Sequence, residues 1–203
     1  MVRRDPLVRA VSLLAVTLLV TVSGCSGGDE PAEPERTSAD RRADLTILPK
    51  DGLPNGWVRV PARERITGDP GKPRYCGVPA EPSGVKEGRV SYYEQQGLPR
   101  SVLEYGMVAD EQSATDTLDA LLAARTSCTE DGFTAEPVPE QDLDGLGDQS
   151  VAWDFDDGSG NRFRAVVLRR GEVVVALVAT GDTSVPTQEQ MAIARSIDER
   201  LQG

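Results

Sequence analysis

RVSYYEQQGLPRSVLEYGMV, residues 89–108, reads as a β-hairpin and sets the frame for the rest of the chain. Residues 89–95 and 101–108 are rich in β-branched and aromatic side chains, and Gln96-Gly97-Leu98-Pro99 between them supplies the turn. Leu103, Tyr105 and Met107 alternate as one face of a strand requires. Asp110 follows at once as an N-cap for a helix reaching about residue 127. Ala114, Leu118, Leu121 and Leu122 form its apolar stripe. Cys128 falls seven residues after Leu121, so its side chain is expected to point inward with that stripe.

Downstream the order repeats. Val151, Trp153 and Phe155 alternate with polar residues, which predicts a half-buried strand. Asp156-Asp157-Gly158-Ser159-Gly160 is a tight connection, and residues 162–169 form another strand. Arg170-Gly171 turns the chain into residues 173–179, almost wholly apolar. Such a run suits a central strand covered on both faces, or on one face plus a neighbour. Thr187 with Gln190 has the spacing of a capping box. The helix that follows, to about residue 201, carries Ile193, Ile197 and Leu201 on one face. Short connections favour antiparallel pairing. The expected fold is therefore α+β: an antiparallel sheet with two main helices packed on one face, and not a doubly wound nucleotide fold.

Upstream of the hairpin the signals are weaker. Residues 40–48 can form a short helix that Pro49 ends. KDGLPNGW, residues 50–57, is dense in turn residues, and residues 68–88 read as a long irregular loop carrying Cys76.

The N-terminus is an address. Arg3, Arg4 and Arg9 precede an apolar run of 13 residues, 10–22, broken only by Ser12, Thr17 and Thr21. That is short of the roughly 20 residues a membrane-spanning helix needs, and it has the parts of an export signal. Val22-Ser23-Gly24-Cys25 resembles the bacterial lipobox. That likeness implies cleavage before Cys25, a thioether-linked diacylglycerol on its sulfur and further acylation such as palmitate. An ordinary secretory signal cut elsewhere is the alternative. One acyl chain holds a protein weakly, at about 0.8 kcal/mol per buried CH₂, and two or more make a durable anchor. The expected organisation is a signal peptide over residues 1–24, a flexible acidic tether over 25–39, and a single domain over 40–203. A coil of about 15 residues reaches roughly 20 Å. The location this implies is the outer face of the cytoplasmic membrane.

Composition excludes several functions. Without residues 1–24 the chain keeps 19 basic and 32 acidic residues. Such an excess of negative charge opposes binding to nucleic acid or to anionic lipid headgroups. The chain contains no histidine, which removes Ser-His-Asp hydrolysis, imidazole acid–base catalysis and most zinc sites. Of three cysteines, Cys25 is reserved for lipid, leaving Cys76 and Cys128 as a pair. Outside the membrane disulfides persist; two free thiols are the other reading.

Candidate chemistry is sparse. Asp154, Asp156, Asp157 and Asn161 invite a calcium loop, but the twelfth residue from Asp154 is Ala165, where a bidentate glutamate belongs. Asp142, Asp144 and Asp148 raise the same question, and the twelfth residue there is Trp153. Loop punctuation is the simpler role for both. Ser159 has Asp157 and Asn161 two residues to either side, where a nucleophile elbow needs glycines. Tyr92, Tyr93 and Tyr105 are candidates to line a ligand groove, although strand tyrosines more often pack with one wet end. Trp57 and Trp153 read as core anchors. No phosphate-cradling loop, CxxC pair, glycosylation acceptor, catalytic group, metal site or cofactor signature appears.

Taken in order, ADLTILPKDGLPNGW (residues 43–57), YCGVP (75–79), the strand–helix pair ending at Cys128, GLGDQSVAW (145–153) and IARSIDERL (193–201) resemble the PknH-like extracellular sensor domain. That family occurs on mycobacterial serine/threonine kinases and on free-standing actinobacterial lipoproteins. The resemblance covers roughly residues 40–203. It implies a central antiparallel sheet, a Cys76–Cys128 disulfide and a groove for an unidentified extracellular ligand. Kinase-attached sensors carry four cysteines in two disulfides, whereas this domain carries two cysteines. The functional expectation is a non-catalytic, lipid-anchored binding or sensor-like domain. Its partners are the membrane, through the acyl chains on Cys25, and an unknown envelope ligand or protein. The alternatives are an envelope assembly or scaffold lipoprotein, or a carboxylate-dependent envelope hydrolase.

Overall fold

The computed structural model describes residues 36–66, 73–129, 132–181 and 187–203. The leader, Cys25 and the tether up to residue 35 lie outside these described residues. The elements in chain order are α1 (Ser38–Thr46), β1 (Trp57–Arg59), α2 (Pro61–Ile66), β2 (Arg74–Tyr75), β3 (Val78–Pro79), β4 (Glu87–Gln95), β5 (Arg100–Val108), α3 (Glu111–Ala124), β6 (Thr134–Pro137), β7 (Gln149–Asp156), β8 (Arg162–Arg170), β9 (Val173–Gly181) and α4 (Thr187–Gln202). Seven strands form one antiparallel sheet in the order β1-β4-β5-β9-β8-β7-β6. The hairpin of the sequence reading is β4–β5, the later strands are β7, β8 and β9, and β9 docks on β5 with Leu103 opposite Val178. The α+β class and the antiparallel sheet hold.

The placement of the helices differs from expectation: the two main helices lie on opposite faces. Ile193, Ile197 and Leu201 of α4, with Ala43 of α1, share one core with Val102, Val166, Leu168, Val175 and Leu177. Ala114, Leu118 and Leu121 of α3 share the other with Val151, Phe155, Val167, Val174 and Ala176. The reason is in β8 and β9, which bury consecutive residues and so are apolar on both sides. Helices on one face alone would leave Val167 and Val174 in water, at about 1.5–3 kcal/mol each.

α1 begins at Ser38, two residues ahead of the expected domain start and inside the expected tether. Thr37 is its N-cap: the Thr37 Oγ1 accepts from the Asp40 N–H at 3.0 Å, and Asp40 Oδ2 accepts from the Thr37 N–H at 3.0 Å. This reciprocal box satisfies two donors that a helix start leaves open, and the bonds from Thr37 hold Asp40 below the usual carboxylate range. Asp110 caps α3 through the Ser113 N–H at 2.9 Å, and that helix stops at Ala124, short of residue 127. Gln190 of the expected box at α4 is buried and donates to the Arg164 and Leu177 carbonyls at 3.2 and 3.4 Å, while the Thr187 side chain lies outside the described residues.

Part of the region read as irregular is the hairpin β2–β3. Its two-residue turn is Cys76-Gly77, with φ of 56° and 74°. Positive φ at both positions matches the right-handed twist of the flanking strands, and Cys76 is the one non-glycine residue with positive φ among those described. Cys76 is bonded to Cys128, just beyond α3. The bridge lies over the second core, where Tyr75 stacks on Trp153 at 6.3 Å between ring centroids. The Trp153 Nε1–H donates to the Arg125 carbonyl at 3.2 Å, fixing the end of α3 beneath the bridge.

Candidate functional site

The three candidate tyrosines do not converge. Tyr92 and Tyr93 are consecutive on β4 and point to opposite faces. Tyr105 shares the second face with Tyr92, since Tyr92 pairs with Leu103 and Tyr105 with Val90. Tyr105 packs in the second core. Tyr92 is half-buried; its hydroxyl accepts from Arg63 at 3.2 Å, and the Arg63 guanidinium lies 5.3 Å from its ring centroid. Tyr93 is fully buried in the first core.

Tyr93 leads to a residue that the sequence reading passed over. Its hydroxyl donates to Oε2 of Glu104 at 3.0 Å. Glu104 is completely buried at the centre of β5, directly opposite Ser91 of β4 and Leu177 of β9. Burial pushes its carboxyl up to about 7, against the pull of the Thr46, Tyr93 and Ser91 hydroxyls and the Arg59 charge. Burial and the Glu104 carboxylate together push the Tyr93 hydroxyl upward as well, so it stays protonated. Among the described residues neither Glu104 Oε1 nor Ser91 Oγ makes a hydrogen bond of full geometry, although the two side chains are neighbours across the β4–β5 pair. α1 seats directly on this spot: a Cβ built on Gly106, on the same face of β5, would lie 2.1 Å from Thr46 Oγ1.

The Tyr93 oxygen also accepts the Leu48 N–H, at 3.1 Å. Leu48 forms the inner wall of a surface groove of about 620 Å³. Pro49, Asp51, Gly52, Leu53 and Pro54 continue that wall, and Ala192, Ser196, Glu199 and Arg200 of α4 face them. Arg200 Nε donates to the Leu45 carbonyl at 3.0 Å, tying α4 to the end of α1. Asp51 and Glu199 are exposed. Leu48, Pro49, Leu53 and Pro54 make one wall of the groove largely apolar, and Ser196, Glu199 and Arg200 make the α4 wall polar, with carboxylates on both sides. Nothing in the sequence reading flagged it, because its two walls come from opposite ends of the domain.

The acidic clusters have other work. Asp154 grips Arg164 through two bonds of 2.6 Å, and Asp156 pairs with Arg162 at 2.6 Å. Asp157 accepts from Ser159 and Asn161, including Asn161 Nδ2 at 2.6 Å, which closes the β7–β8 turn and holds Asp157 at about 2. The Ser159 hydroxyl is bound to that same carboxylate at 2.9 Å. Asp148 accepts the Gly171 N–H at 2.8 Å and joins Arg170, which Asp198 of α4 also holds at 2.8 and 2.7 Å. These bonds lower Asp148, the one from Gly171 most. Among the described residues no group of three or more His, Cys, Asp or Glu is placed to hold a metal ion.

No protein-family model matches the chain, and no curated protein matches it. Among solved structures it is similar to the crystal structure of the extracellular domain of PknH from Mycobacterium tuberculosis. The identity is 12% and the TM-score 0.49, over 80% of this chain and 95% of that one.

Proposed function

We propose that this chain is a lipid-anchored domain on the outer face of the cytoplasmic membrane that binds an envelope ligand or protein and catalyses no reaction. The observation that carries this reading is Val22-Ser23-Gly24-Cys25 behind three arginines and an apolar run. The disulfide supports it, since Cys76 and Cys128 pair with each other and leave Cys25 for acylation. A bridge of this kind belongs to an oxidising compartment. The groove between residues 48–54 and α4 is the face assigned to the ligand.

Two measurements test it. Mass analysis of the N-terminal peptide from the native host should find Cys25 carrying diacylglycerol, and Cys25→Ser should leave the membrane fraction. An unmodified Cys25, or a Cys25→Ser protein that stays with membranes, overturns the anchor. Native mass spectrometry of the protein from its own envelope addresses the binding role. A retained small molecule supports ligand binding, whereas a retained protein supports an assembly role.

A further inference from the structure

Glu104 stands behind the groove where a hydrophobic residue would be expected. Its neighbours on β9, Leu177 and the residues either side, are uncharged and apolar. The charged or titratable groups that face it are few. β4 supplies Tyr93, and β1 supplies the Arg59 charge. α1 offers only the Thr46 hydroxyl. Arg89, two residues before Ser91 on β4, is already bound to Asp44, Asp40 and Glu87.

One hydroxyl group therefore bridges a buried carboxyl to the backbone of the groove wall. A carboxylate only accepts hydrogen bonds, while a carboxylic acid also donates one. In the ionised state Tyr93 donates to Glu104 and accepts from Leu48, and both bonds are satisfied. Protonation gives Glu104 a hydrogen that needs an acceptor, and the Tyr93, Ser91 and Thr46 hydroxyl oxygens lie beside it. An acid hydrogen on the Tyr93 oxygen competes with the Leu48 N–H for it. A buried amide left without its acceptor costs about 1–3 kcal/mol, so the turn after α1 shifts to restore the bond. We propose that the protonation state of Glu104 sets the position of the groove wall at Leu48 through Tyr93, making the groove a proton-linked site. The coupling rests on the reading of the groove as the binding face, but its readout requires no ligand. A failure here therefore leaves the anchoring and binding reading standing.

The test is a pH titration by NMR of the isotope-labelled exported chain carrying Cys25→Ser. The Glu104 side-chain carboxyl and the Leu48 amide should titrate together, with a common midpoint near the value of about 7 set by burial. The amides of Gly52 and Leu53 should follow with smaller shifts. Glu104→Gln should abolish the Leu48 response, and Tyr93→Phe should uncouple it while leaving Glu104 titrating. A Leu48 amide that is flat while the Glu104 carboxyl titrates overturns the proposal, and so does an unchanged Leu48 titration in Glu104→Gln. The comparison of the two wild-type midpoints decides the matter even if a variant does not fold.

Discussion

Replacing Glu104 with Gln should change the pH dependence of stability between about pH 4.5 and pH 7. Burial raises this carboxyl from its ordinary 4.5 to about 7. Between those values the folded chain keeps a proton that the unfolded chain has released. Stability falls with rising pH wherever the unfolded state binds fewer protons. The stabilising effect of that proton is thus complete below about pH 4.5 and gone above about pH 7. A rise of that size, at about 1.4 kcal/mol for each pH unit, amounts to about 3 kcal/mol, most of which falls between pH 5 and pH 8. The chain has no histidine to superimpose a second titration there. The depressed acids Asp40, Asp110, Asp148 and Asp157 work with the opposite sign, contributing stability that is lost only as pH falls below the ordinary carboxylate range. Urea unfolding followed by the fluorescence of the buried Trp57 and Trp153 measures the effect. The wild type should lose about 2–3 kcal/mol between pH 5 and pH 8, and Glu104→Gln less than about 1 kcal/mol. Equal losses in the two proteins would refute the assignment.

Three further outcomes follow from packing and covalent structure. Replacing Cys76 and Cys128 together by Ser opens a loop whose ends are 52 residues apart; about 4 kcal/mol should be lost, lowering Tm by roughly 8–16 °C, and calorimetry that finds a change under about 2 °C rejects the staple. Gly106→Ala places a Cβ 2.1 Å from Thr46 Oγ1 and 2.6 Å from Thr46 Cβ; it should cost about 1–3 kcal/mol, most of it recovered in Gly106→Ala/Thr46→Ala, while simple additivity in denaturant melts would show that α1 does not seat there. Gly147→Ala has no such remedy, because its φ is +68° and the added Cβ would lie 2.6 Å from the Arg169 carbonyl oxygen; a loss of at least about 2 kcal/mol is expected, and a near-neutral unfolding midpoint would contradict the placement of that loop.

Much of the frame was legible because it depends on local pattern. The β4–β5 hairpin, the Asp110 cap and the Ile193, Ile197, Leu201 stripe all follow from spacings of two or four residues. What escaped depends on partners remote in sequence. β6 is an edge strand with exposed Thr134, Glu136 and Pro137, so no alternation marks it. β1 is three residues long, too short for a period to register. The division of the helices between two faces was present in the apolar residues of both parities along β8 and β9. Reading it required deciding which helix each parity meets. At the site, Glu104 looked like an ordinary polar strand residue flanked by Leu103 and Tyr105. Only the docking of α1 over Gly106 puts that carboxyl out of reach of water. Tyr93 was singled out for its ring, but its hydroxyl is what matters, and its partners Leu48 and Glu104 lie well apart in the chain.

The junction of β5 with β9 has a consequence for biogenesis. Val108 meets Val173 and Arg100 meets Gly181, so the two halves of the sheet are sewn together by β9, which is made after β4, β5, β7 and β8. A nascent chain emerging N-terminus first displays the β4–β5 ribbon with a raw edge of unpaired amides and carbonyls, an invitation to foreign strands. Its closure waits on a long-range encounter, which slows folding relative to helix formation. A chain that stops after β8 holds β4–β5 and β6–β7–β8 as two separate ribbons, and β9 is the clasp that joins them.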